Sequence, residues 1–481
     1  MKAFKSDAMR FTLPVIAENI FTTGVGLIYS AIVGGISASS LAAMGTGNQA
    51  INLVVALFAV ITTGGVVLTA QLTGRSDIPR ASRVVEHTLL LAPASALVIT
   101  VVLLAVSAPL MRLLMPGAQA DFVKESTDYF RMLLLSLPGL ITMNALTGLL
   151  RASGESRIAL LNSILINVVQ IAAAYLFINR MGMKIMGAGC AYVACRYAGA
   201  IAIVIAVFGH HRGFRVEPPR IFRPSMPVVR EILRVGLPTS VDSFSVQAGY
   251  LLNNSLLIGL GVRAASTYNV IATIVTFTGI CQGIGNTSAA TLVGQKVGAG
   301  DLPGARRRMN AILLYTFIAT TVLCLVACLF PRFFAGLFSS DPDVISDSVR
   351  IMWLILPFCY VAVSVNVTEP ATRAGGDTKY VMLTCTGCVW LIRLPLTWLP
   401  AEDGRGGRVA GQYGLPRRAH GLLPYARVRP EVGTEAALIP MICFAPPCCL
   451  PVPARSASIR GEILAPTNPI DIAPAPSNAG A

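Results

Sequence analysis

Apolar stretches of twenty residues or more, poor in charge, alternate with short polar segments along most of the chain. That is the length a helix rising 1.5 Å per residue needs to cross a ~30 Å hydrocarbon core. The stretches cover about 11–35, 45–72, 84–106, 129–150, 158–178 and 185–208, then 230–260, 264–293, 309–330, 349–371 and 380–399. The pattern predicts eleven spanning helices and therefore an all-α polytopic membrane protein. The first stretch runs a full span without a small-residue cleavage pattern, so it reads as a helix and not as a signal peptide.

The polar punctuation repeats. Arg10-Phe-Thr-Leu-Pro14 returns as Arg234-Val-Gly-Leu-Pro238, and Gln71-Leu-Thr-Gly74 with Asp77 returns as Gln295-Lys-Val-Gly298 with Asp301. Arg151-Ala-Ser-Gly-Glu-Ser156 returns as Arg373-Ala-Gly-Gly-Asp-Thr378. The shifts are 224, 224 and 222 residues, and anchors recurring in one order and nearly one register imply a duplicated architecture. Six spans per repeat would leave both halves in the same orientation, related by an axis along the membrane normal. The expected organisation is an N-terminal six-helix bundle (1–209), a basic cytoplasmic linker (210–226), a C-terminal bundle lacking its last helix (227–400) and a Pro-rich tail (401–481).

Composition sharpens this reading. Hydrophobic residues make up 54% of the chain and charged ones 13%, half the charge of a soluble domain, and the mean hydropathy is +0.67. A net charge of +15 would suit a nucleic-acid partner, but the basic residues gather in alternate loops. Lys2, Lys5 and Arg10 precede the first stretch; Arg75, Arg80 and Arg83 follow the second; Arg306, Arg307 and Arg308 follow the eighth. The positive-inside rule then puts the N-terminus in the cytoplasm and the chain in the plasma (inner) membrane, with lipid and no nucleic acid as its surroundings. Cys385-x-x-Cys388 and Cys324-x-x-x-Cys328 lie inside apolar stretches and read as buried thiols, and His210-His211 as a solvated loop pair. No metal or cofactor is expected. Neither paired carboxylates nor histidine clusters sit at catalytic spacing, which argues against an enzyme.

The Leu-Pro starts of stretches one and seven, Val293-Gly-Gln-Lys-Val-Gly-Ala-Gly300 and Arg373-Ala-Gly-Gly-Asp-Thr378 together resemble the multidrug and toxic compound extrusion (MATE) family of secondary transporters, over roughly residues 8–400. The resemblance implies two six-helix bundles around a V-shaped cavity. It also implies a monomer that exports organic cations against an inward flow of H+ or Na+. A flippase for lipid-linked sugars from the same superfamily is the alternative; it would call for cavity-facing arginines, of which Arg196 and Arg393 are the few candidates.

An ionisable group inside a spanning helix costs at least ~2.5–3.5 kcal/mol at the centre and is functional by default. Glu18 and Asp242 each lie four residues after a proline, Pro14 and Pro238, which predisposes both helices to kink beside an acid. These acids, with Glu369 near the end of stretch ten, are the expected cation-coupling residues; Glu369 could equally form a simple i,i+4 pair with Arg373. Eleven residues separate Glu18 from Tyr29 and Asp242 from Asn253, about three helical turns. Tyr29 and Asn253 therefore share a face with the acids and are expected in the cavity, together with Asn48, Asn52, Asn162 and Asn269. The family resemblance implies a span-one aspartate where this chain carries Tyr29, and Glu18 stands as the substitute. The Arg-Ala-x-Gly turns read as topological markers, glycine ending the helix and arginine meeting headgroups.

Residues 401–481 hold 12 of the 30 prolines and no lysine. This tail reads as a shifted reading frame. Arg408 to Gly414, written CGG GTG GCT GGC CAA TAC GGC, gives Gly-Trp-Leu-Ala-Asn-Thr one base later, which resembles the family's span-twelve opening. A bundle without that helix would lack a wall, and an unstable or inactive product is the alternative to a working exporter.

Overall fold

The computed structural model describes residues 2–115, 120–209, 214–217, 225–259, 279–329 and 342–395, and every regular element among them is helical. In chain order these are α1 (Lys2–Gly34), α2 (Ala38–Leu57), α3 (Ala59–Gly74), α4 (Ile78–Leu114) and α5 (Ala120–Ala152). Helix α6 (Ser156–Ala174) continues into a π-helical turn, Tyr175–Arg180, and α7 is Lys184–Gly209. Beyond the linker come α8 (Met226–Gly259) and α9, which runs from 279 through a π segment, Ala289–Val293, into Gly294–Gly298. The series ends with α10 (Leu302–Leu329), α11 (Pro342–Ala374) and α12 (Thr378–Gly387), the last continued by a π segment, Cys388–Arg393. Among the described residues six helices are long and apolar enough to cross a membrane, or seven if the bent pair α2–α3 counts as one span. Residues 264–278 of the eighth expected stretch, His210-His211 and the whole tail with its proposed frame shift lie outside the described residues.

Outward-facing apolar stripes show what solvent these helices meet. On α10, Leu314, Ile318, Val322, Leu325 and Leu329 are all exposed at steps of three and four residues, one continuous face that only lipid can cover. By contrast 72% of the apolar window of α5 is buried, against 17% for α4. Helix α5 is thus the axis of the first bundle. Tyr129, Phe130, Leu133, Leu134, Leu137 and Ile141 all pack into its core.

Breaks in helices carry partners. The chain bends by 53° between α2 and α3 at Phe58, which frees carbonyls that water cannot reach. The Ser240 hydroxyl of α8 answers them, lying 3.0 Å from the Leu57 oxygen and 3.3 Å from that of Ala56, as buried backbone requires. Close packing makes this possible. A Cβ at Gly236 would collide with the Val60 carbonyl, and one at Gly64 would lie 2.5 Å from the Ile232 oxygen.

The repeated motifs meet each other. Gln71 Nε2 of α3 donates to the Ala374 carbonyl at the end of α11 (2.8 Å), and Gln295 Nε2 of α9 donates to the Ala152 carbonyl at the end of α5 (2.9 Å). Each glutamine therefore caps the other half's helix, accepting the role of partner to carbonyls that a helix end leaves open. Beside them Gly74 and Gly298 lie so close to the opposing backbone that a Cβ on either would strike the carbonyl of Gln295 or Gln71. The glycines that follow those helix ends, Gly154 (φ +98°) and Gly376 (φ +96°), hold the left-handed conformation expected of a C-terminal cap.

The described part of the linker is strapped to α4. Phe214 is fully buried in a core cluster with Val84, Val85 and Leu149. The backbone N–H groups of Arg215, Glu217 and Ser225 donate to Ser82 Oγ (2.8 Å), Glu86 Oε1 (3.0 Å) and His87 Nε2 (2.7 Å). These bonds satisfy polar groups of α4 that are otherwise buried.

Candidate functional site

A cavity of about 750 Å³ lies between helices of the two halves. Its walls come from α1, α5, α6 and α7 on one side and from α9 and α11 on the other. Carboxamides dominate the polar lining: Asn19, Asn144, Asn162, Asn167, Gln170, Gln282, Asn286 and Asn366. Amides offer both donors and acceptors without fixed charge, a lining that suits ligands of varied shape. The π segment of α9 begins two residues after the last cavity residue of that helix, Thr287, a type of distortion that often accompanies functional sites.

Among the described residues three charged ones line this space: Glu18, Arg151 and Arg196. Glu18 of α1 is ion-paired with Arg151 near the end of α5, and their side chains are 13% and 22% exposed. Glu18 Oε2 has no hydrogen-bond partner, so the carboxylate keeps one oxygen for a proton, an ion or a ligand. Arg196 stands at the middle of α7, where a charge is most expensive. Its guanidinium carbon lies 4.5 Å from the Tyr192 ring centre, a cation–π contact, and its Nε has no hydrogen-bond partner.

A second cluster occupies the equivalent place in the other half. Asp242 of α8 and Glu369 of α11 are both ion-paired with Arg373, and Asp242 is 2% exposed. The Cys385 sulfur and one oxygen from each acid lie within 4.8 Å of one another. The two arginines that begin the Arg-Ala-x-Gly turns thus point inward. Their expected contact with headgroups is corrected: a guanidinium at the end of a central helix finds a buried carboxylate one helix away, a stronger attraction than a solvated phosphate offers. The i,i+4 pairing of Glu369 with Arg373 is present, and Asp242 joins it.

The other expected residues divide. Asn162 is buried and lines the cavity. Tyr29 does not: it is 5% exposed in the first bundle's core, and its hydroxyl donates to the Ala188 carbonyl at 2.8 Å. It shares the face of Glu18, Thr22 and Gly26, but at its level that face meets α7 and not the cavity. Asn48 is half-buried and Asn52 exposed, both away from the cavity walls, because the bend at Phe58 turns α2 aside. Asn253 and Asn269 lie outside the residues whose side chains are described. Helices α1 and α8 run through Pro14 and Pro238 as single elements. Asn19, Asn144 and Asn366 went unread in the sequence, and Arg151 and Arg373 were read as topological markers, not as partners of Glu18 and Asp242. For the arginines a signal exists: Glu18–Arg151 and Asp242–Arg373 are separated by 133 and 131 residues, so acid and base recur together.

A protein-family model described as MatE matches residues 14–176 and again 238–399. The chain is 28% identical to a "Probable multidrug resistance protein NorM" of Pseudomonas putida, over 85% of this chain and 90% of that protein. It is 23% identical to a protein of the same name from Thermotoga maritima, over 85% and 89%. Among solved structures it is similar to one described as an "Outward-facing conformation of a multidrug resistance MATE family transporter of the MOP superfamily", with TM-score 0.78, 20% identity and 92% of each chain covered.

Proposed function

This chain belongs to the MatE family, and from that premise we propose that it is a secondary active exporter of structurally varied organic compounds, coupled to H+ or Na+ and resident in the plasma membrane with its N-terminus in the cytoplasm. The observation that carries the reading is the amide-rich cavity between the halves, with carboxylate–arginine clusters beside it. Residues 1–209 and 227–400 act as the two moving bundles, joined by the linker 210–226. The reciprocal glutamine contacts hold them together at one end, the cytoplasmic one in this reading, so the cavity serves the outside in this state.

Coupling is assigned to the second cluster. Asp242 and Glu369 bring two carboxylates to one Arg373, a setting in which a proton or a sodium ion would compete with the guanidinium for one of them. Binding there changes the demand on Arg373, which sits at the helix end that Gln71 caps. Occupancy is thereby linked to the contact between bundles. Glu18 is the corresponding group in the first half, already balanced by Arg151.

The test is dye accumulation in cells stripped of other pumps, using cationic ethidium and a carboxyl-bearing rhodamine, with sodium and proton gradients collapsed separately. Expression should lower accumulation of at least one dye, and collapse of one gradient should abolish this. Asp242→Asn and Glu369→Gln should each lower export sharply with both gradients intact. Export that survives both collapses would overturn the reading.

A further inference from the structure

The charges around the cavity do not balance. Glu18 is paired with Arg151, and no other carboxylate lines the space among the described residues. Arg196 therefore remains as a positive charge on the wall, and no ion pair involves it among the described residues. Its environment does not replace the missing anion. The Tyr192 ring beneath it stabilises the cation and orients it, while the Nε donor stays without an acceptor. Around it the lining offers neutral donors, Asn162, Asn167 and Gln170. A guanidinium on the cavity wall, held against an aromatic side chain and with no carboxylate partner among the described residues, has the chemistry of an oxyanion subsite.

Resting on the export reading above, we propose that Arg196 is the docking point for a carboxylate, and that the preferred substrates are amphiphiles with an aromatic body and one acidic group rather than simple organic cations. The body lies against the apolar wall at Met143 and Ile166. The carboxylate accepts from Arg196, and the amides accommodate the remaining polar atoms. Because Arg196 lies on α7 in the first bundle and the coupling acids Asp242 and Glu369 on α8 and α11 in the second, an anionic substrate and a cationic coupling ion occupy separate bundles. Neither has to displace the other directly.

A matched pair of dyes isolates the charge: tetramethylrhodamine with a free carboxylate, and its methyl ester. Binding of each is measured by fluorescence anisotropy on the purified full-length chain in phosphatidylcholine vesicles, without any ion gradient. The wild type should hold the free acid about tenfold more tightly than the ester, the gain expected of one charge-assisted contact. Arg196→Gln should erase the preference while leaving ester binding in place, and Arg196→Lys should retain part of it. Repeating the measurement with phosphatidylglycerol in the vesicles should leave the preference unchanged; loss of it there would mean that a lipid headgroup takes the subsite, and would overturn the proposal. An ester preference in the wild type, an acid preference surviving Arg196→Gln, or binding of neither dye would also overturn it. The ester-binding outcome leaves the export reading standing. Gradient-independent export, in the cell assay, removes that reading whatever the dyes do.

Discussion

The arginines at equivalent places in the two halves meet different company. Arg151 pairs with Glu18 alone, whereas Arg373 pairs with both Asp242 and Glu369, with Cys385 close by. A shift of 222 residues maps Glu369 onto Thr147 and Cys385 onto Ser163, both of which line the cavity together with Glu18. The first half has thus kept the scaffold of the cluster while replacing an acid and a thiol by hydroxyls. One cluster sets a single acid against its arginine at the cavity wall; the other sets two acids against one arginine. Duplication supplied two copies of one ion-pair frame, and the division of labour proposed above follows from what surrounds each arginine.

Removing the arginines should separate the halves most. Arg373→Ala takes the guanidinium away from the buried Asp242 and the half-buried Glu369, and breaking a buried pair costs ~3–5 kcal/mol. The expected result is a sharp fall in thermal stability in detergent, well beyond that of Arg151→Ala. Equal losses would show that the extra acid does not matter to the second cluster. Next in size is the effect of neutralising acids. Glu369→Gln should lower gradient-driven export by about tenfold, a change of ~1.4 kcal/mol, while Glu18→Gln has the smaller effect; initial dye-export rates decide, and the reverse order would break the comparison.

The reciprocal glutamines test the opposite expectation, that the halves are equal. Gln71→Ala and Gln295→Ala each remove one hydrogen bond worth about 0.5–1.5 kcal/mol. Both should speed labelling of a cysteine introduced at Ser153 to a similar, modest degree, and the double variant should speed it further. A large inequality between the singles would show that one half closes the end by itself. Smallest is the surface pair Lys296–Asp301 (2.9 Å), which has no lysine counterpart at Leu72 in the first half. The Lys296 ammonium, helped by the Gly304 N–H, holds the Asp301 carboxyl below its ordinary value. For a lowered acid the stabilisation is present above the unfolded-state pKa and fades as pH falls through the lower, folded value. Lys296→Ala should therefore shift thermal stability slightly near neutrality and not at all in strong acid, as a pH series of melting curves would show.

Much of this was legible in the sequence. Apolar length located the helices, and the repeated anchors gave the register that relates Glu18 to Asp242. A role for these acids was suggested by their place in apolar stretches, since charged residues rarely enter such stretches without one, but their depth was not. What stayed hidden depends on which helix faces which. Tyr29 shares a helical face with Glu18, yet α7 covers it, and no periodicity within α1 reports the position of α7. Asn48 and Asn52 leave the cavity because the chain bends at Phe58, where no proline or glycine marks a break. The inward turn of Arg151 and Arg373 was written in the paired recurrence of acid and base, but only as a correlation between residues more than a hundred positions apart.

The crossing at Gly74 and Gly298 has a further meaning for the cell that houses this chain. Main chain meets main chain there with no room for even a Cβ, so no rotamer change can loosen this contact. In the export reading proposed above, a carrier shares its membrane with the ion gradient that energises the whole cell, and a path one water wide would short-circuit it. Close backbone packing at this crossing would then help to protect the membrane potential even when nothing is being carried. A methyl group added at either glycine would act less like a lost contact than like a slow puncture.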